Sequence, residues 1–156
     1  MNLTDVAEQC LNSMGLPFTR VPGMPVINLA VDIEQGKLNL YIHCHEATHR
    51  LFVYTRPQDL PVAAERIAAL TEFLARANFG LPLGNFEIDC NDGEFNFKNS
   101  IDIADGMLTA AMVQTLVVFS LECFNRYLPG IRAVLDGGVP RDAIEAIDGP
   151  TRIVIR

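Results

Sequence analysis

The sequence contains no tryptophan and few basic residues, and the shortage of basic residues excludes a class of function. Only 12 Lys and Arg side chains stand against 19 Asp and Glu in 156 residues, so the net charge is −7. A protein that binds nucleic acid needs a basic surface for the phosphates, so this balance argues against a nucleic-acid partner. The hydrophobic share of 49% excludes a disordered chain, and the length fits one domain.

The sequence also lacks an apolar run long enough to cross a membrane. The one candidate, Gly106–Leu121, is shorter than the roughly 20 apolar residues that a span needs, and polar side chains interrupt it. Its flanks, Asp105 and Glu122, are acidic, whereas cations anchor a membrane helix. Met1–Arg20 has neither the basic nor the apolar region of a signal peptide. We therefore predict no membrane association.

Cysteines are few and widely spaced, and no nucleophile or phosphate-binding motif is present. The four cysteines are Cys10, Cys44, Cys90 and Cys123. Without a CxxC pair they are typical of small buried residues in a reducing cytoplasm. The sequence contains neither a GxSxG elbow nor a P-loop. We therefore predict no catalytic residue and no cofactor.

The hydrophobic pattern of the first half predicts one helix followed by three strands. Apolar residues recur at helical spacing from Val6 to Met14. Val26–Ile33 is rich in β-branched residues, and residues 38–45 and 51–55 alternate between apolar and polar side chains. Short turns separate the three segments, so we expect an antiparallel meander.

The second half predicts three further helices and a hairpin. The first helix runs from Asp59 to Ala77, and a hairpin with its turn at Asn91-Asp92-Gly93 follows it. A long apolar helix then runs from about Thr109 to Tyr127, and Pro129-Gly130 breaks it. A short helix begins at Pro140. The order α-βββ-α-ββ-α-α indicates an α+β two-layer sandwich, with five antiparallel strands and the helices on one face. We assign residues 1–150 to a single domain and 151–156 to a C-terminal tail or short edge strand.

The most specific motif is His45-Glu46-Ala47-Thr48-His49, which spells the HExxH pattern of zinc metallopeptidases. That chemistry needs both histidines at i and i+4 on one helical face, with the glutamate beside the metal-bound water. Here the motif lies between two strand patterns, and no third ligand follows at a recognised spacing. The pattern favours polar residues at a hairpin bend.

A simpler metal site would use the three histidines without the HExxH geometry. His43 and His45 point to the same side of one predicted strand, and His49 could approach from the neighbouring strand. Three imidazoles can hold a transition metal. His43, His45 and His49 are therefore the candidates for a metal site, although we predict no resident metal.

Apolar residues on the long helix form two stripes. One stripe runs from Leu108 to Phe119, and the other consists of Val113, Val117, Leu121 and Phe124. One stripe covers the sheet, so the other needs a second cover, from the C-terminal segment or from another subunit. We predict that Val113, Val117, Leu121 and Phe124 form the interface of a homodimer.

From Asn78 onward the chain also carries a loose pattern of turn and hydrophobic residues. Its members are Asn78, Leu83-Gly84-Asn85-Phe86, Asp89, Gly93, Phe97-Lys98 and Cys123-Phe124-Asn125-Arg126-Tyr127-Leu128-Pro129. In this pattern the sequence resembles the YbjN-like domain family. The resemblance implies a fold similar to class I type III secretion chaperones, which are small, acidic, cytosolic homodimers that hold partly unfolded partner segments. It implies a bacterial regulator of sensory transduction and no catalytic residue.

These observations together predict a non-enzymatic protein-binding domain, chaperone-like or regulatory, that is cytoplasmic and homodimeric and binds a protein or peptide client. Two alternatives remain. One is a zinc-dependent hydrolase or metal-binding protein that uses His45, Glu46 and His49. The other is a small-molecule sensor with a pocket between sheet and helix.

Overall fold

Alternating apolar residues build an antiparallel sheet of six strands in the computed structural model, which describes residues 1–149. The strands are β1 (Thr19–Arg20), β2 (Val26–Ile33), β3 (Gly36–His45), β4 (Arg50–Pro57), β5 (Asn85–Ile88) and β6 (Phe95–Asp102), in the order β1-β2-β3-β4-β6-β5. The helices are α1 (Leu3–Ser13), α2 (Ile67–Asn78), α3 (Ala110–Leu135) and α4 (Pro140–Asp148).

The molecule has two layers, with the helices on one face of the sheet. Helices α1, α2 and α3 contact the strands, and α4 packs on α2 and α3. The inward side chains of the central strands β3 and β4 are buried, as Leu40 and Ile42 of β3 and Val53 of β4 show. This arrangement confirms the predicted α+β two-layer fold, and the order of its elements differs from the predicted one only by a sixth strand, β1, ahead of the three predicted strands. No helix within residues 1–149 is long and apolar enough to cross a membrane.

The prediction was wrong at two boundaries. Strand β1 pairs only Thr19 and Arg20 with β2, which is too short a segment to show an alternating pattern. The second helix starts at Ile67 rather than at Asp59, because Asp59 adopts a left-handed φ of 52° and a short 3₁₀ turn precedes the helix. The stretch 151–156 lies outside the described residues, so the tail or edge strand and the single-domain assignment stay predictions.

The long helix continues through Pro129, contrary to the predicted break at Pro129-Gly130. A proline inside a helix removes one hydrogen bond and usually kinks or ends the helix. Here the turns beyond it bury Ile131 and Val134 completely. The Arg66 guanidinium also donates to the Val134 carbonyl oxygen, at 2.8 Å from Nε and 2.6 Å from Nη2. Burial and this polar cap offset the cost of the proline.

Candidate functional site

The HExxH motif forms the connection between β3 and β4 and not a helix. His45 is the last residue of β3, Glu46–Thr48 make a single 3₁₀ turn, and His49 has a left-handed φ of 52°. The two histidines therefore do not share a helical face, which contradicts the geometry that a metallopeptidase requires. Within residues 1–149, no group of three or more His, Cys, Asp or Glu side chains is placed to hold a metal ion.

Glu46, the motif's acidic residue, caps the start of helix α1. Its Oε2 accepts a hydrogen bond from the Leu3 backbone N–H at 3.0 Å, and its Oε1 accepts from the Thr4 N–H at 3.0 Å and from the Thr4 hydroxyl at 3.1 Å. The first N–H groups of a helix have no partner within it, and its N-terminus carries a partial positive charge. Asn2 adds the usual side-chain cap, because its Oδ1 accepts from the Asp5 N–H at 2.8 Å. The carboxylate that would serve a zinc site instead joins the hairpin to α1.

We expect Glu46→Ala to lower the free energy of unfolding by about 1 kcal/mol, the usual loss for a helix cap. Urea unfolding followed by circular dichroism measures the change. Glu122→Ala, at an exposed glutamate in the middle of α3, is the matched control and should change stability much less. Equal losses in the two variants would contradict the capping role.

The structure separates the three histidines into a pair and a single residue. The His43 and His45 rings lie nearly parallel on the same side of β3, with centroids 6.2 Å apart. The His49 ring turns toward the connection between β6 and α3, where Nδ1 lies 2.8 Å from the Ala104 carbonyl oxygen. The strand alternation predicted the pair correctly, but His49 does not join it.

The histidine pair belongs to a cluster of aromatic rings on the face of the sheet that no helix of residues 1–149 covers. We call the cluster of Tyr41, His43, His45, Phe52 and Tyr54 the aromatic cluster, and this side of the sheet the uncovered face. His43 meets Tyr54 edge-on at 5.1 Å, and His45 meets Phe52 edge-on at 5.1 Å. Phe52 and Tyr54 stack at 6.1 Å. These contacts follow from the register, which places Tyr41 opposite Tyr54 and His43 opposite Phe52.

Ion pairs surround the aromatic cluster, and their charges cancel. The four pairs are Lys37–Asp32, Arg50–Asp102, Arg56–Glu94 and Lys98–Glu87. The Arg56 guanidinium also lies over the Tyr41 ring, 5.5 Å from its centroid. Because each cation is matched by one carboxylate, the net charge of −7 resides in the rest of the chain. The uncovered face is therefore aromatic and close to neutral on an otherwise acidic protein.

Burial lowers the pKa of His43 from its ordinary value, and the nearby His45 lowers that pKa further. The His43 imidazole thus takes up a proton less readily in the folded state than in the unfolded state. Its contribution to stability is complete above the unfolded-state pKa of about 6.5 and is lost as the pH falls from that value through the lower pKa of the folded state. The groups facing His43 across the sheet are Tyr54 and Phe52 of β4 and Val26 of β2, none of which is acidic.

We expect the His43 imidazole to titrate at a lower pH in the native protein than in urea, as followed by NMR. His45→Gln should raise the native midpoint, because it removes the second cause of the shift. His49→Gln is the control and should leave the His43 midpoint in place, since its ring is bound to Ala104. If the His43 titration midpoint is the same in His45→Gln as in the natural sequence, the pairing of the two rings is contradicted.

The predicted dimer interface does not lie on the surface. Val113, Val117 and Phe124 have 0% exposure within a single chain, and only Leu121 is partly exposed. The Phe124 ring meets Phe86 of β5 edge-on at 5.4 Å, so it faces the interior. Helices α1, α2 and α4 of the same chain all pack on α3 and cover its apolar sides. This assignment was wrong for those three residues, because the cover comes from within the chain.

The aromatic cluster is absent from the sequence-based predictions, although the sequence carries a signal for it. Aromatic rings and imidazoles occupy alternate positions 41, 43 and 45 of one strand and 52 and 54 of the next. Rings at alternate positions of adjacent hairpin strands meet on one face once the register is known. The alternation of residues 38–45 and 51–55 predicts two strands, but it does not by itself show that their outward rings meet.

Comparison with known proteins identifies the fold and not the function. No family model matches the sequence, and no curated protein matches it. Among solved structures, the chain is similar to YbjN from E. coli, a proposed transcription regulator, with a TM-score of 0.59 and 14% identity over 85% of this chain and 89% of that chain. It is also similar to a chain of the ExsC–ExsE complex, with a TM-score of 0.47 and 17% identity over 78% of this chain and 90% of that chain. The chain has a YbjN-like fold.

Proposed function

We propose that this protein is a non-enzymatic protein-binding domain of a regulatory or chaperone-like kind. The observation that carries the proposal is the aromatic cluster on the uncovered face. Aromatic side chains are enriched where proteins bind one another, and an uncovered sheet face that displays five rings is more than scattered surface apolarity. The fold shared with YbjN, itself a proposed regulator, supports the regulatory part of the proposal.

Its first partner is a second copy of this chain, bound through the uncovered face. Two bodies that each carry −7 repel one another, so self-association needs a contact that keeps the like charges apart. The uncovered face meets that need, because its four cations and four carboxylates balance, so two copies of the face bring no net charge from these pairs into contact. We therefore propose the uncovered face of the sheet, rather than α3, as the homodimer interface.

The size of the face is sufficient for such a dimer. Strands β2, β3, β4 and β6 have 8 to 10 residues each. At about 3.3 Å per residue and about 4.8 Å between strands, they offer about 500 Å² of planar area per copy. Two copies would bury about 1,000 Å², near the lower limit for a specific interface. Paired sheets of this kind pack about 10 Å apart, with side chains between them.

Light scattering after size exclusion, at tens of micromolar protein, tests this proposal. We expect a dimer for the natural sequence and a monomer for Tyr54→Glu, because the dimer would bury the new charges among aromatic rings. Phe79→Glu is the matched control, since Phe79 is 57% exposed at the end of α2 on the helical side, and it should stay dimeric. A monomer for the natural sequence would contradict the homodimer, and two dimeric variants would contradict the uncovered face as its interface.

The same proposal includes a protein or peptide client and a cytoplasmic location. Cys10, Cys44 and Cys123 are buried free thiols, which suit a reducing compartment. Burial raises the pKa of Cys44 to about 11 and that of Cys123 to about 12, so neither is a reactive thiolate at neutral pH.

A measurement of bound zinc in protein purified without a His tag tests the metal-binding alternative. Stoichiometric zinc that is lost in His43→Ala or His45→Ala would favour a metal-binding protein instead.

A further inference from the structure

A groove lies on the helical side of the molecule, between the end of α2 and helix α4. We call it the α2–α4 groove, and its walls are Arg76 and Phe79 from the end of α2 and Arg141, Ile144, Glu145 and Asp148 of α4. Its volume is about 370 Å³, near the lower limit for ligand pockets, which suits the side chains of a short peptide. The helices lie on one face of the sheet, so this groove and the aromatic cluster are on opposite sides of it.

The apolar part of the α2–α4 groove consists of two side chains with very different exposure. Ile144 of α4 is 8% exposed, whereas Phe79, at the C-cap of α2, is 57% exposed. Phe79 is the one exposed aromatic side chain within residues 1–149. A single exposed apolar residue is common on protein surfaces. An exposed ring in the same groove as a buried isoleucine, however, offers a contact to an apolar segment that lies within reach.

The charges that line the groove are balanced. Arg141 pairs with Glu145 at 3.1 Å, and Arg76 pairs with Glu72 at 2.8 Å. Asp148 pairs with a guanidinium of α3 at 2.6 Å. Because each of these charges already has a partner of opposite sign, an anionic or a cationic ligand gains little from the walls. The groove therefore favours an occupant that binds through apolar side chains.

The chain itself brings an apolar segment to this groove. Gly149 also lines the groove, and its left-handed φ of 79° ends α4 there. Four residues later the sequence reads Ile153-Val154-Ile155, which we call the apolar triplet. An extended chain advances at most about 3.6 Å per residue, so Ile153 lies within about 14 Å of Gly149. A segment tethered this closely has an effective concentration in the millimolar range, which favours it over a free ligand of equal affinity.

The composition of the apolar triplet also favours a cover from within the chain. It consists of three consecutive β-branched apolar residues, and Arg152 and Arg156 stand on either side of it. Exposed runs of this kind promote pairing between chains and aggregation. The two arginines can keep their charged ends in water while the residues between them are buried.

We propose that the α2–α4 groove binds the apolar triplet of its own chain, so that Ile153-Val154-Ile155 fold back onto Phe79 and Ile144. The triplet then covers the exposed ring, and the charged ends of Arg152 and Arg156 stay in solvent. The inference goes beyond the proposed protein-binding function and does not depend on the homodimer, because the groove and the uncovered face lie on opposite sides of the sheet.

Methyl NMR of the full chain, with ¹³C labels in the isoleucine δ1 methyl groups, tests this contact directly. We expect the ring current of Phe79 to shift the methyl resonance of Ile153 or Ile155 upfield. Phe79→Leu should return that resonance to its position in a free peptide of residues 149–156. If both methyl groups of the natural protein already resonate at their free-peptide positions, the proposal is overturned.

Trypsin cleavage after Arg152, followed by mass spectrometry, measures how well the apolar triplet is protected. Phe79→Ser should speed this cleavage about tenfold, because it weakens the contact and raises the fraction of chains with an open triplet. Val139→Ser is the matched control, since Val139 is also 57% exposed but does not line the groove, and it should be cleaved at the natural rate. Cleavage that Phe79→Ser leaves unchanged would place the triplet elsewhere, for example in an edge strand, and would overturn the proposal.

The dependence on protein concentration separates a contact within one chain from a contact between copies. We expect the same protection at low and at high concentration, and the same protection in a monomeric Tyr54→Glu variant. Protection that grows with concentration, or that is lost in this monomer, would place the triplet in the groove of a second copy and overturn the proposal. A protected triplet in a natural protein that is monomeric would support the groove and contradict the homodimer, so the two proposals can fail separately.

Discussion

Replacing Phe124 by alanine is expected to lower the free energy of unfolding by about 3–5 kcal/mol and to leave the oligomeric state unchanged. The side chain has 0% exposure, and its ring lies edge-on to Phe86 at 5.4 Å. Its removal therefore loses apolar burial and leaves a cavity between α3 and β5. A loss of this size would be a large fraction of the stability of an ordinary domain, about 5–15 kcal/mol.

Urea unfolding and light scattering measure the two parts of this prediction. Phe79→Ala is the matched control, because its 57% exposed ring should lose much less stability on truncation. If the Phe124→Ala chain does not fold, Phe124→Leu supplies a folded sample with a smaller loss. If Phe124→Ala loses less than about 1 kcal/mol of unfolding free energy and converts a dimer to a monomer, Phe124 lies in the dimer interface, as the sequence predicted.

Gly130→Ala should destabilise the protein by about 2 kcal/mol, although alanine favours a helix over glycine by about 1 kcal/mol. A Cβ at this position would lie 2.5 Å from Phe73 Cζ and 2.7 Å from Ile147 Cδ1. Side chains of α2 and α4 thus both pack tightly against α3 at the residue after its proline. Overpacking at this contact should outweigh the gain in helix propensity.

The neighbouring position provides a control of opposite sign. Pro129 is exposed on the same turn, and Pro129→Ala should raise the free energy of unfolding, because it restores a backbone donor within the helix. Thermal unfolding of both variants at one protein concentration gives the comparison. A more stable Gly130→Ala protein would contradict the close packing of Phe73 and Ile147 on α3.

Most of the fold could be predicted because the periodicity of its segments is local. The alternation in β3 and β4 and the turn at Gly93 depend on neighbours in sequence, and they appear as expected. The passage of α3 through Pro129 could not be predicted in this way. It depends on burial of Ile131 and Val134 and on the Arg66 guanidinium, which contacts α3 from 68 positions away in the sequence.

The candidate site shows the same division between local and distant causes. The sequence context correctly placed HExxH at a bend, but the partner of Glu46 is Leu3, 43 positions earlier. The stripe of Val113, Val117, Leu121 and Phe124 on α3 is apolar, as its sequence indicates. The sequence of one helix does not show which other helices of the same chain cover it. The aromatic cluster depends on the register that sets Tyr41 against Tyr54, which neither strand specifies alone.

The bond from Glu46 to the start of α1 also affects hydrogen exchange. In most helices the first amide hydrogens have no partner and exchange freely with solvent. The Leu3 and Thr4 amides donate to a carboxylate held by the β3–β4 connection, so their exchange requires that connection to open or α1 to undock. Two amides at the edge of the molecule would then report on the integrity of a hairpin at the centre of its sheet.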